Sequence, residues 1–62
     1  MTISIYAFEV KYGTSPTPAD ARHLQWLRDA LGDRFAAGFV VHTGGDTIAL
    51  GDHLWAVPIH RL

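Results

Sequence analysis

Sixty-two residues allow one small domain, and a chain of that size buries only roughly 60% of the surface its unfolded form exposes, so its core needs a staple. The absence of cysteine excludes disulfides and thiolate metal sites and leaves association with another chain as the expected staple. Five Lys and Arg against six Asp and Glu give a net charge of −1, which argues against nucleic acid as a partner, while 48% apolar residues exclude a disordered chain.

Ile3 to Lys11 (ISIYAFEVK) is rich in β-branched and aromatic residues, has no Gly or Pro, and reads as a strand. Alternation sorts it into two faces. Tyr6, Phe8 and Val10 form one, expected to be a core stripe. Ile3, Ile5, Ala7, Glu9 and Lys11 form the other, apolar at its start and charged at its end. Tyr12 to Pro18 (YGTSPTP) is a loop by composition. Thr17 is the preferred helix cap over Ser15, with Pro18 at the first helical position and Asp20 at the third, beside the positive end of the dipole. The helix is predicted to run to Leu31 and stop at Gly32. Ala21, Leu24, Leu27 and Leu31, with Ala30 beside them, form its apolar stripe.

Ala37 to His42 suits a short buried strand, interrupted after it by a Thr43-Gly44-Gly45-Asp46 turn of hairpin type. Thr47 to Leu50 is a third strand, Gly51-Asp52 a turn, and His53 to Ile59 a fourth extended segment. Pro58 places that segment at a sheet edge or near its own end. The predicted fold is therefore α+β (α/β-like), one domain over residues 1–62: a small mixed sheet of three to four strands with one helix packed on it, in the order β-α-β-β-β. The longest apolar stretch, Phe35 to Val41 broken by Gly38, is far short of a bilayer span, and no basic leader opens the chain. A cytoplasmic protein with no membrane partner is expected.

Glu9-Val10-Lys11 is the triplet with chemistry behind it. Residues two apart on a strand project from one face. A carboxylate there can hold a hard divalent cation, and the ammonium beside it can stabilise charge developing on a phosphate. The ordinary role of such a pair is an exposed ion pair at a strand end. His23, His42, His53 and His60 are spaced by 19, 11 and 7 residues, which fits no zinc signature. His23 is expected near the helical core stripe. Trp26 and Trp55 read as core or interface anchors, and Asp20 and Asp52 as cap and turn residues.

Phe8-Glu9-Val10-Lys11, Asp20-Ala21-Arg22, Leu31-Gly32-Asp33-Arg34-Phe35, Gly38-Phe39-Val40-Val41, Thr43-Gly44-Gly45 and the ending Gly51-Asp52-His53-Leu54-Trp55-Ala56-Val57-Pro58-Ile59 form one longer pattern. It resembles the last part of the C-terminal domain of unknown function found behind the AAA-type ATPase module of prokaryotic ATP-binding proteins. That domain resembles the PD-(D/E)xK, restriction-endonuclease-like, superfamily. The resemblance implies a fragment of a nuclease-like fold, with Glu9 as metal ligand and Glu9 and Lys11 as the catalytic pair. It also implies a metal-binding Asp on a preceding strand, yet none of the eight residues before Glu9 is acidic, and no phosphate-binding G-x-x-x-x-G-K-[ST] loop occurs. The chain reads as the tail of a longer gene.

The functional expectation is a small homo-oligomeric interaction module, a catalytically silent nuclease-like remnant without cofactor that dimerises through its first strand. The alternatives are a Mg²⁺-dependent nuclease whose site forms across a dimer, with Asp20 or Asp46 approaching Glu9, and a regulatory partner of an ATPase or a toxin–antitoxin-like component.

Overall fold

A computed structural model describes residues 3–62, so Met1 and Thr2, where the absence of a basic leader was read, lie outside it. Strand β1 spans Ile5–Val10, helix α1 Arg22–Leu31, β2 Phe35–His42, β3 Ile48–Gly51 and β4 Leu54–Pro58. Short 3₁₀ turns cover Pro18–Ala21, Gly32–Arg34 and Ile59–Arg61. The four strands form one mixed sheet in the order β1-β2-β4-β3, with β1–β2 and β2–β4 parallel and β3–β4 antiparallel. The predicted α+β architecture of one helix on a small mixed sheet is thus the observed one.

The helix entry follows from local chemistry. The Thr17 backbone N–H donates to Asp20 Oδ2 at 2.7 Å, and the Asp20 N–H donates to the Thr17 carbonyl at 2.9 Å. These bonds satisfy groups that a helix start would otherwise leave orphaned. Pro18 sits at the first position, where its missing N–H is no loss. The first turn is tightened to 3₁₀ before α1 proper begins. At the other end Gly32 takes φ 57°, and its N–H reaches the Arg28 carbonyl.

The core lies between α1 and one face of the sheet. Ala21 and Leu24 from the helical segment meet Phe35, Val40, Leu50, Leu54 and Ala56, all buried, with Ala7, Leu27 and Leu31 packed at the margin. Ala30, expected beside the stripe, is exposed. The close approach of helix to sheet rests on Gly38, where a Cβ would lie 2.9 Å from both Leu54 Cδ2 and Phe35 Cζ and 3.4 Å from Leu24 Cβ.

Two further expectations are corrected. Tyr6, Phe8 and Val10 are not a core stripe: they are 60%, 60% and 72% exposed. The β1-α1-β2 crossover sets the helix over one face only, and it covers the Ile5, Ala7 and Glu9 side. Alternation says which residues share a face, not which face is roofed. Second, Thr43 to Asp46 is not a hairpin turn, because β2 pairs with β4 rather than β3. The hairpin is β3–β4, turned by Asp52 and by His53 at φ 60°. Gly44 is demanded by space, since a Cβ there would meet the Thr14 carbonyl oxygen at 2.6 Å. Pro58 closes β4, an interior strand, in keeping with its missing donor.

Leu54→Ala should cost about 2–5 kcal/mol, as a fully buried leucine does when it leaves a cavity, and Gly38→Ala about 1–3 kcal/mol through overpacking. Urea denaturation followed by circular dichroism measures both.

Candidate functional site

Two features of this fold could engage another molecule: a polar cleft beside the helix start, and the sheet surface that α1 leaves bare.

The cleft sits where the C-terminal end of β1 meets the first turn of the helical segment. Glu9, Ala19, Asp20, Arg22 and His23 line a cavity of about 290 Å³. Glu9 Oε1 lies 3.6 Å from His23 Nδ1, while Oε2 is buried with no hydrogen-bond partner. His23 is exposed on the flank of α1 that borders the cleft, and is not part of the buried stripe. Lys11 extends to Asp20, its Nζ donating to Oδ2 at 2.7 Å. The same oxygen also accepts from the Thr17 N–H at 2.7 Å and from Thr17 Oγ1 at 3.3 Å. The Lys11 ammonium, and then the Thr17 N–H, hold the Asp20 carboxyl below its ordinary value against the opposing effect of burial.

Glu9 and Lys11 thus leave the same side of the chain, as their spacing requires, but engage different partners. Asp20 lines the cleft with Glu9 within a single copy, its Oδ2 engaged by Lys11 and Thr17. Asp46 does not: its carbonyl is 3.0 Å from His42 Nε2 in the loop after β2. His42 is buried and accepts the Gly44 N–H on Nδ1 at 3.0 Å, which places its ring proton on Nε2, toward Asp46. The donor chemistry does not fit a Mg²⁺ site within one copy. Asp20 Oδ2 already has three donors, and among the described residues no group of three His, Asp or Glu side chains is placed to hold a metal.

The bare face is built from the odd-numbered positions of β2 and β4 and the even-numbered ones of β1. Registration aligns Phe8 with Phe39 and Phe39 with Trp55, so three aromatic residues form a row across three strands. Phe8 and Phe39 stack with ring centroids 5.2 Å apart. Tyr6–Ala37 forms the row on one side and Val10–Val41–Val57 the row on the other, Val41 being buried within its row. Neither tryptophan anchors the core: Trp26 is 71% exposed on the outside of α1, and Trp55 is 43% exposed on this face. The aromatic row escaped sequence reasoning because it exists only once β4 has inserted beside β2. The available signal was local: Phe39–Val41 and Trp55–Val57 are apolar at every second residue on the side opposite the core.

β1 is also an outer strand, and among the described residues only β2 pairs with it. The Lys11 N–H donates to the Val41 carbonyl at 2.8 Å. Backbone polar groups alternate in direction along a parallel strand, so those of Phe8 and Val10 point away from β2.

Because the Asp20 carboxyl is held below its ordinary 3.8, its contribution to stability is present above that pH and is lost as pH falls through the lowered value. Thermal midpoints of the native chain should therefore drop with acidification below 3.8. The Asp20→Asn variant should show a shallower fall there, while starting from lower stability at neutral pH.

No curated protein and no solved structure matches the chain. Residues 3–62 match the family described as a domain of unknown function, DUF4143, and the chain belongs to that family.

Proposed function

We propose that the chain is a protein-interaction module that associates with a second copy of itself along the outer edge of β1, and that its Glu9–Lys11 strand is the silent relic of a nuclease-like, PD-(D/E)xK-type strand. The observation that carries this reading is the outer edge of β1, with which no other strand pairs among the described residues. An extended strand with outward N–H and C=O groups and no covering element is a template for another strand. Folded proteins usually blunt such an edge with charge, proline or a bulge. Here no proline or bulge interrupts Phe8 to Val10, the charges beside them, Glu9 and Lys11, turn toward His23 and Asp20 on the helix side, and the register irregularity lies at the other end, between Ile5 and Tyr6. Antiparallel pairing of two β1 strands about a two-fold axis would satisfy these groups in both copies.

The silent character is supported by the use made of Lys11. An ammonium held at 2.7 Å by Asp20 serves as a tie between β1 and the helix cap, and its charge is spent there. Lys11 and Asp20 are partly exposed, so the tie is a modest one.

Amide hydrogen exchange tests the edge directly. At high protein concentration the Phe8 and Val10 amides should exchange slowly, and dilution should release them together with a fall in mass measured by sedimentation. Rapid exchange of both amides at every concentration would mean that no strand pairs there.

A further inference from the structure

We infer that the uncovered face of the sheet, centred on Phe8, Phe39 and Trp55, is a second and separate contact between copies, in which two such faces stack against each other. This goes beyond the edge pairing. A two-fold axis that joins two β1 edges runs perpendicular to the sheet, so it leaves the aromatic face of each copy as open as before.

The size of the patch favours a partner of protein dimensions. Aromatic side chains offer 150–250 Å² each. With Tyr6 and Phe8 more than half exposed, Trp55 somewhat less, and Val10 and Ile59 at the margin, the apolar surface is on the order of 500 Å². A standard interface takes about 800 Å² from each partner, of which roughly 56–65% is apolar. The patch supplies that apolar share, and its rim the remainder.

Its chemistry favours a second copy. Tyr6, Phe8, Val10, Phe39, Trp55 and Val57 include no acid and no base, and the net charge of −1 sets little repulsion between copies. The surface is also uneven in a way that suits itself. Beside the exposed Phe8 and Trp55 lies a hollow of about 110 Å³, lined by Val10, Tyr12, Val41 and Ile59 and, at its polar end, by Lys11, His42 and Thr43. Under two-fold symmetry the exposed aromatic side chains of each copy can enter the hollow of the other, at the ~10 Å spacing of packed sheets. Combined with edge pairing, the two perpendicular axes would close a tetramer of D₂ symmetry.

The test uses the whole chain near 100 µM, with mass by light scattering and folding by circular dichroism. Trp55→Lys should keep its helical signal and drop one assembly step, from four copies to two or from two to one, whereas Trp55→Phe should keep the native mass. A folded Trp55→Lys chain with unchanged mass would overturn the inference. Should Trp55→Lys not fold, the Trp26→Phe chain decides, because Trp55 is then its only indole. Its emission should shift to the red on dilution through the dissociation range, and emission independent of concentration overturns the stacking. Protected Phe8 and Val10 amides with an unshifting Trp55 would leave the edge pairing standing and remove only the face contact. The opposite pattern would remove the edge alone.

Discussion

A ten-residue helix can roof one side of a four-stranded sheet and no more, and every other feature of this molecule follows from which side it takes. The crossover from β1 to β2 carries α1 over the Ile5, Ala7 and Glu9 face, and Gly38 lets it settle there. Leu24 and Ala21 then seal Val40, Leu54 and Ala56 from water. The opposite surface, no less apolar in composition, has no layer of its own among the described residues. In so small a domain that leaves the hydrophobic effect only half used within a single copy.

The same placement explains the polar cleft. Glu9 and Lys11 fall on the roofed side, just past the point where the helical segment begins. Charged groups there have to find partners at the margin of the core. Lys11 does so by reaching Asp20, which already serves the helix entry through the Thr17 N–H. One carboxylate oxygen thereby ties the end of a strand, the loop after it and the start of the helix. Glu9 has only the looser approach of His23. The lysine of the triplet is thus paired with the carboxylate that caps the helix.

Much of the fold was legible in the residues. The Thr17 cap, the Pro18 start, the Gly32 stop and the Ala21–Leu24 contact follow from patterns within one turn of helix. The four strands declared themselves by β-branched and aromatic runs, and Pro58 marked the end of the last. The two larger misreadings concern relations between segments. Gly44-Gly45 looked like a hairpin, but whether β2 pairs with β3 or β4 is decided by the whole sheet. Tyr6, Phe8 and Val10 looked like core, because the apolar alternation of β1 is equally strong on both sides until Glu9. The Lys11–Asp20 pair, nine residues apart across a loop, left no periodic trace, although the cap that positions Asp20 did.

The strand order carries a consequence for synthesis. The ribosome delivers β1, α1, β2 and β3 before β4, yet β4 lies between β2 and β3 and is hydrogen-bonded to both. Until Leu54 to Pro58 has left the exit tunnel, the nascent sheet is missing an inner rung, and β3 has nothing to zip onto. Closure must come as a late, concerted event after translation of that segment. A stalled or nicked chain lacking these five residues would hold not a frayed sheet but two unjoined parts.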